Sequence, residues 1–399
     1  MTPGTQFPKK GEGQAHSKRD INLILVAIVI SGVTTFMFYP LITLELMDRG
    51  ETTATTGLIL GLLAGTGRIL SGPIGWANAR LGSKALTIGG FIFRSAGLLV
   101  LAPQLSPAIY AVGSIIASVG SSATALALKT ELMRYSASRK TITFRSIAVN
   151  IGALVGPSIG GAVYMSYSFA TIIWLVVGSY LALALLLAIT VRFLPAEEKS
   201  NVPITPQLAG HRSSAAFFWL LVCTFAYWAI YAQWSLVVPI YAESGFGTPL
   251  GSTWVFTGNA ILILLFQYLV LVRVMHSVSS EGVFCIGFLA FAAAFIVLFF
   301  PPTPFSVILF ATAFSLAELL ISPTLDEVTA QIKPAGSGMT RAYGITASVS
   351  GVASLACTTV GGYLIDSHGN PGAVGWLILP TIAIGSISAV AMKRLKELT

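Results

Sequence analysis

Long apolar runs, separated by short polar segments, repeat along most of the chain. A run of about 20 apolar residues crosses the hydrocarbon core of a bilayer as a helix, which satisfies every backbone polar group internally. The pattern therefore predicts an all-α membrane protein with twelve transmembrane helices. The predicted spans, numbered 1 to 12, are residues 21–46, 53–77, 83–102, 107–128, 145–165, 169–193, 215–241, 251–274, 282–300, 305–325, 342–364 and 372–392.

One long polar segment, Pro195–Ser214, divides the predicted spans into two groups of six. The residues before span 1 are polar and are predicted to be disordered. Span 1 itself is too long for a signal sequence, and no small-residue cleavage site follows it. We predict a disordered tail over 1–20, an N-terminal bundle over 21–194, a linker over 195–214, a C-terminal bundle over 215–392 and a short tail over 393–399.

The two groups of spans share two local patterns, which indicates an internal repeat. Transporters are often built from such repeats, with the substrate site between them near the middle of the membrane. Chance is the alternative, because Gly and Pro are common in transmembrane helices. The matched positions are Pro40 with Pro239, and Gly160-Gly161 with Gly361-Gly362.

The composition agrees with a surface that faces lipid. Hydrophobic residues make up 55% of the 399 residues and charged residues 10%, with a mean hydropathy of +0.82. A soluble domain carries about 25% charged residues. The net charge of +8 does not indicate nucleic-acid binding, because the basic residues lie in short loops and not on a soluble domain. Three cysteines and four histidines lack the spacing of metal ligands, so no metal or cofactor is predicted.

Lys and Arg are distributed unequally between the two sides of the predicted membrane. Loops on the side of both termini hold 20 of the 23 basic residues, whereas the alternate loops hold only Arg49. The remaining two, Arg68 and Arg94, lie within spans. Because short cytoplasmic loops are enriched in Lys and Arg, both termini and the linker are predicted to be cytoplasmic.

The turn between spans 2 and 3 reads GWANARLGSK. It is similar to the pattern G-x-x-x-D-R-x-G-R-K/R, whose charges form a latch between the two halves in the major facilitator superfamily. Asn78 is the candidate to replace part of that latch by hydrogen bonding, and a basic cytoplasmic turn is the alternative. The pattern is matched at Gly75, Arg80, Gly82 and Lys84, while Ala79 and Ser83 stand where it has Asp and a first basic residue.

Span 5 carries small residues at intervals of four, which lets a neighbouring helix approach closely. The segment is similar to the G-x-x-x-G-P-x-x-G-G core of the antiporter motif in exporters, although ordinary tight packing would also use it. A proline within it removes one backbone hydrogen bond and permits a bend. The residues concerned are Gly152, Gly156, Pro157, Gly160 and Gly161.

On these two motifs and the arrangement of spans, the whole chain resembles the major facilitator superfamily, and in particular its twelve-span drug:proton antiporters. The resemblance implies two pseudo-symmetric six-helix bundles that export a substrate by alternating access in exchange for protons, with the monomer as the working unit. The chain departs from related patterns at two places. Thr43 stands where span 1 would carry a second proline, and Ile116 stands where span 4 would carry an arginine.

Glu318 is the sharpest functional candidate, because it lies about 13 residues into span 10. Charged groups within the membrane are costly and usually functional. A carboxylate at that depth is expected to face the central cavity and to exchange a proton there, with a structural hydrogen bond as the alternative. Arg94 and Arg68 are the other deep charges. Each could pair with Glu318, bind substrate anions or extend toward the cytoplasm, and Arg68 is nearer that side.

Span 7 contributes aromatic side chains to the predicted site. Tyr227, Tyr231 and Trp234 share one helix face and suit flat, cationic or amphipathic substrates, although aromatic residues at the membrane interface or facing lipid are the alternative. Gln233 and Asn259 add uncharged polar groups at a plausible depth.

The sequence therefore indicates a secondary active transporter that exports small amphipathic or drug-like molecules in exchange for protons. It is expected in a bacterial cytoplasmic membrane. No G-x-x-x-x-G-K-S/T signature for ATP occurs, which favours an ion gradient as the energy source. The alternatives are a dedicated exporter of a siderophore, a metallophore or a sugar, and a proton-coupled symporter. A membrane enzyme or receptor is disfavoured, because no catalytic constellation or soluble sensor domain is present.

The distribution of Lys and Arg predicts the topology directly. A reporter that is active only outside the cytoplasm, fused to the C-terminus or inserted in the 195–214 segment, is expected to give no signal. The same reporter inserted next to Arg49 should be active and provides the control. Strong activity of the C-terminal fusion would contradict the predicted orientation.

Overall fold

The computed structural model describes residues 10–135, 139–193, 211–332 and 339–397. The helices are α1 (Lys10–Phe38), α2 (Ile42–Asp48), α3 (Thr53–Ile69), α4 (Ser71–Leu99), α5 (Pro107–Tyr135), α6 (Arg139–Ser166), α7 (Phe169–Thr190), α8 (His211–Tyr231), α9 (Trp234–Phe246), α10 (Leu250–Tyr268), α11 (Ser280–Val297), α12 (Pro304–Gln331), α13 (Met339–His368) and α14 (Gly375–Glu397). A π-helical segment, Leu269–Val274, follows α10, and a 3-10 turn, Pro371–Val374, precedes α14. The described residues contain no β-strand.

These helices confirm the prediction of an all-α, multi-pass membrane protein. Within the described ranges, ten helical stretches are long and apolar enough to cross a membrane. The pair α3 and α4, bent by 52° around Leu70, brings the number to eleven. Gly82, with a φ of 79°, interrupts α4 at the predicted turn between spans 2 and 3. The count of twelve stays a prediction.

Two predicted boundaries differ from the structure at the start of each half. Helix α1 begins at Lys10, so the prediction of disorder up to residue 20 is wrong for residues 10–20. An existing helix extends at little cost once its first turn has formed, and the end of this segment is anchored. Asp20 is buried and accepts a hydrogen bond from the Tyr135 hydroxyl (3.2 Å). Likewise α8 begins at His211, inside the predicted linker, most of which lies outside the described residues.

Spans 1 and 7 are both broken helices. Span 1 divides into α1 and α2 around Pro40, and span 7 divides into α8 and α9 at Ala232 and Gln233. Pro239, the sequence counterpart of Pro40, lies inside α9 and not at the break. The two halves therefore share the interruption but not its position relative to the proline.

Helices pack mainly within their own half. In the first half α4 packs on α5 and α7, and α1 packs on α6 and α7; in the second, α11 packs on α12 and α14, and α8 on α13 and α14. The halves meet where α3 packs on α13 and α6 on α10. We call the side of the membrane that holds Asp20 and Lys393 the tail side, and the opposite side the far side.

Glycines allow the backbones of α3 and α13 to touch across this interface. A Cβ added at Gly57 would lie 2.5 Å from the carbonyl oxygen of Thr358, and one at Gly65 would lie 2.5 Å from that of Gly351. No ordinary side chain fits at such distances. Only residues without a Cβ permit this approach, which brings the two halves into direct backbone contact.

The two glycine pairs found in the sequence occupy equivalent places in the two halves. The first glycine of each pair packs within its own half: Gly160 lies against the Met37 backbone of α1, and Gly361 lies against the Gln233 side chain. The second glycine faces the other half. Gly161 lies against Leu250 and Thr253 of α10, and Gly362 lies against Thr53 and Gly57 of α3. This correspondence makes chance an insufficient explanation for the repeat.

Hydrogen bonds close the interface on the far side. The Thr43 hydroxyl donates to the carbonyl oxygen of Ser235 (2.6 Å), and the Ser252 hydroxyl donates to that of Pro40 (2.6 Å). All four polar groups are on or beside the interrupted segments of spans 1 and 7 or at the start of α10. Thr43, at the position where related proteins have a proline, therefore helps to join the halves.

The α1–α6 contact predicts that Gly156 tolerates no bulk. A Cβ there would lie 2.6 Å from the Val33 carbonyl oxygen and 2.7 Å from the Phe36 Cβ. Gly156→Leu is expected to reduce the transport rate per inserted molecule by about tenfold or more, because the helices must separate. Gly178→Leu is the matched control, since Gly178 of α7 has no atom within 4 Å of an added Cβ. Equal transport by both variants, normalised to membrane content, would contradict the assignment.

Candidate functional site

A cavity lies between the two halves, and its walls come from both. Its main chamber has a volume of roughly 200 Å³. A compartment of about 250 Å³ extends into the N-terminal half, and one of about 260 Å³ extends from Glu318 along α12 to Asp326, toward the tail side. We call these the N-half compartment and the tail-side compartment. Residues shared by the main chamber and the N-half compartment are Phe36, Tyr39, Ala64, Arg68 and Tyr231.

Glu318 lines both the main chamber and the tail-side compartment, from the middle of α12. The Asn259 amide donates a hydrogen bond of 3.0 Å to its carboxylate and one of 3.0 Å to the Ser315 hydroxyl. No Lys, Arg or His of the described residues lies within 4.0 Å of the carboxylate. The group therefore faces the cavity, with an amide neighbour and no cationic partner among the described residues.

Arg68 does not extend toward the tail side, which had been one interpretation of its position. It follows the glycine positions of α3 and lines the main chamber and the N-half compartment. Its guanidinium lies over the Trp228 ring of α8, 3.7 Å from the ring centroid. The bend at Leu70 ends α3 two residues further on and holds this side chain over the cavity. Arg68 and Glu318 do not form an ion pair.

Arg94 lines only the N-half compartment and is tied to its own half. Its guanidinium donates to the Thr35 hydroxyl at 2.9 Å and to the Ser31 hydroxyl at 3.5 Å, and lies over the Tyr180 ring at 4.5 Å. Only 7% of the residue is exposed. Arg94 does not form an ion pair with Glu318. Its charge contributes to the positive potential of the compartment.

The predicted aromatic face of span 7 is divided by the break in that span. Tyr231 and Trp234 line the main chamber, whereas Tyr227 is buried behind Tyr231, with ring centroids 5.6 Å apart. Trp228 lines the chamber although it lies off the predicted face. Its proximity to an intramembrane arginine could not be read from periodicity. Further lining residues that the sequence analysis missed are Phe36, Tyr39, Asn150, Phe256, Ser118, Ser121 and Ser122.

Gln233 is not a cavity residue, contrary to the prediction. It is fully buried at the break between α8 and α9. Its amide donates to the carbonyl oxygen of Cys357 in α13 at 2.7 Å, and its side chain lies against Gly361. The amide also donates to the carbonyl oxygen of Ala229 in the last turn of α8 at 3.4 Å, a backbone group that the break frees. Gln233 therefore joins span 7 to span 11, and Asn259 is the polar cavity residue of the pair.

The turn that resembles the superfamily signature has few cross-half contacts in the described part of the chain. Arg80 lies over the exposed Trp76 ring, 4.0 Å from its centroid, and Gly82 supplies the positive φ that reverses the chain. The Asn78 side-chain oxygen is buried without a hydrogen-bond partner among the described residues. The proposed replacement of the missing Asp by Asn78 is thus not formed in this arrangement.

Comparison with known families agrees with this architecture. The family model described as "Major Facilitator Superfamily" matches residues 24–272. The chain therefore belongs to the major facilitator superfamily and is a membrane transporter, not an enzyme. It is an integral, multi-pass membrane protein.

Named relatives are distant in sequence but similar in length. The multidrug resistance protein MdtH of Aeromonas salmonicida is 24% identical over 365 residues, which cover 90% of this chain and 89% of the relative. The uncharacterized MFS-type transporter YttB of Bacillus subtilis is 28% identical over 267 residues, covering 65% and 66%. At these identities the relatives do not establish a substrate.

Solved structures of transporters share the fold. A POT family transporter in complex with a thioalcohol-conjugated peptide superposes with a TM-score of 0.79 at 16% identity, covering 94% of this chain and 96% of that one. A mutant of the nucleoside transporter NupG superposes with a TM-score of 0.72 at 16% identity, covering 94% and 99%. These likenesses show the two-bundle fold and carry no conclusion about substrate.

The different positions of Gln233 and Asn259 predict opposite phenotypes. Gln233→Met removes the hydrogen bond to the buried Cys357 carbonyl and is expected to cost about 1–3 kcal/mol of stability. It should lower the thermal unfolding midpoint in detergent but leave transport by the folded protein near wild type. Asn259→Leu should keep the midpoint and lose transport. Loss of transport in Gln233→Met with an unchanged unfolding midpoint would indicate that Gln233 is a cavity residue.

Proposed function

We propose that this transporter exports small amphipathic molecules in exchange for protons, by alternating access of its two halves. The observation that carries the proposal is the position of Glu318, a carboxylate in the cavity between the halves with an amide neighbour and no cationic partner within the described residues. An ionised carboxylate in a dry membrane interior is costly, so such a group is expected to hold a proton for part of the cycle.

The remaining walls of the main chamber suit an amphipathic substrate. Trp228, Tyr231, Trp234 and Phe256 supply flat apolar surface, and aromatic faces also attract cations. A cationic substrate beside Glu318 would favour the ionised carboxylate and release its proton. Proton binding from the opposite side would then favour release of the substrate.

The helix contacts support alternating access. The far side is closed by the hydrogen bonds of Thr43 and Ser252, whereas the tail-side compartment continues from Glu318 to Asp326. If both termini are cytoplasmic, as the basic residues predict, the cavity in this state is reached from the cytoplasm. An exporter would load its substrate in this state.

Export is favoured over uptake by two further observations. The glycine motif of span 5 is similar to that of exporters, and Gly152, Gly156 and Gly160 pack closely on α1. One of the two relatives named above, MdtH of Aeromonas salmonicida, is a multidrug resistance protein. A dedicated exporter of one metabolite, or a symporter, would use the same fold, and transport by a monomer is part of the proposal.

Replacement of Glu318 tests proton coupling. Glu318→Gln preserves shape and the Asn259 contact but fixes the site neutral, so it should abolish gradient-driven export while neutral substrates still bind. Glu318→Asp should retain partial activity with an altered pH profile. The measurement is proton release by the purified protein when tetraphenylphosphonium is added, at several pH values.

Glu327→Gln is the matched control, because Glu327 lies on the same helix and does not line the cavity. It should release protons as the wild type does. Undiminished proton release by Glu318→Gln would place coupling elsewhere and leave Glu318 a structural residue.

A further inference from the structure

The N-half compartment carries positive charge within a wall that is largely apolar. Arg68 and Arg94 both line it, together with six side chains that carry a hydroxyl group. No carboxylate lies among the described residues that form its wall. The hydroxyl-bearing residues are Thr35, Tyr39, Ser118, Ser121, Ser122 and Tyr231.

The two arginines differ in how far their hydrogen-bonding capacity is used. Arg94 donates to Thr35 and Ser31 and is almost completely buried. Arg68 has a buried guanidinium nitrogen, Nη1, with no partner among the described residues. A buried donor without a partner is costly, so Arg68 is the arginine that a ligand can satisfy.

Neighbouring groups fix the position of Arg68. The Gly67 backbone N–H donates to the Ser118 hydroxyl oxygen at 2.9 Å, which joins the end of α3 to α5. The guanidinium plane is supported by Trp228 across the interface. A guanidinium stacked by its face keeps its N–H edge available for a carboxylate, which it can bind through two parallel hydrogen bonds.

From this arrangement we infer that Arg68 forms an anion subsite, and that the transported molecules are amphoteric. One end carries a carboxylate or a similar acidic group that binds Arg68 in the N-half compartment. The other end carries a basic amine that lies beside Glu318 and Asn259, and an aromatic body fills the main chamber. The inference rests on the proposed function in that it takes this cavity as the substrate site.

The separation of the two charges is the reason for an amphoteric ligand. Arg68 and Glu318 line one continuous cavity from opposite halves, yet they form no ion pair with each other. A simple cation would satisfy Glu318 and leave the Arg68 donor unpaired. A molecule with both charges compensates each of them and also links the two halves.

Two rhodamine dyes test the subsite, because they differ only in the carboxylate. Rhodamine 110 has a free carboxylate, and rhodamine 123 is its methyl ester. The purified full chain in detergent, without any gradient, is expected to bind rhodamine 110 about tenfold more tightly, as measured by fluorescence anisotropy with micelle-only samples subtracted. Arg68→Gln should weaken the binding of rhodamine 110 by about tenfold and change the affinity for rhodamine 123 by less than about twofold.

Two further variants complete the experiment. Arg68→Lys keeps the charge but not the forked geometry, so it should retain part of the preference and remains informative if the Gln variant does not fold. Arg80→Gln removes a similar arginine–tryptophan stack outside the cavity and should leave both affinities unchanged.

Equal binding of the two dyes by the wild type, or equal weakening of both by Arg68→Gln, would overturn the anion subsite. Binding of neither dye would contradict both the subsite and the proposed substrate range. Because no proton gradient is used, these results are independent of whether Glu318 couples export to protons. If the protein still distinguishes the two dyes but releases no proton, the anion subsite stands and only proton coupling is rejected.

Discussion

Direct backbone contact between α3 and α13 holds the two halves together along one side of the cavity. In lipid, helices gain little from burying apolar side chains against each other, so close packing and hydrogen bonds hold them together. Gly57 and Gly65 remove the side chains that would keep these helices apart. The related contact of α6 with α10 has Gly161 in the corresponding place. Everything between these two contacts, including the cavity, is defined by how closely the helices approach.

The two charged side chains of the main chamber, Arg68 and Glu318, lie on opposite walls of the cavity. Arg68 belongs to the first half and is supported by a tryptophan of the second, while Glu318 belongs to the second half and is held by Asn259 of the same half. Each charge has a neighbour that orients it but does not neutralise it. This arrangement differs from a structural ion pair, in which both charges would be satisfied without a ligand.

The sequence predicted those features that depend on local chemistry. Apolar runs located the helices because lipid imposes their length, and Glu318 stood out because a carboxylate is rare at that depth. The glycine pairs were visible because they lie at matching places in the two groups of six spans. Which pair member faces which half was not predictable, since both are small and adjacent.

The errors concern side chains whose direction depends on tertiary structure. Arg68 was placed by its distance from the end of a straight helix, but the bend at Leu70 changes which side of the bundle it reaches. Gln233 was placed in the cavity by its depth in span 7, but the helix is interrupted at that residue, and its amide donates to the Ala229 carbonyl oxygen at the break. The bend at Leu70 comes three residues before Pro73, which removes the hydrogen bond to the Ile69 carbonyl and favours a kink there. The effect of that bend on the direction of a long side chain cannot be derived from hydropathy alone.

The position of Arg68 in the series Gly57, Gly61, Gly65, Arg68 has a consequence for energy conversion. These residues share one face of α3, so under the proposed alternating access the helix that separates from α13 also carries the arginine. Separation would withdraw it from Trp228 and from any ligand held in the second half. Loading would then occur at high affinity and discharge at low affinity, and the difference in affinity is the work that a gradient must supply for uphill transport.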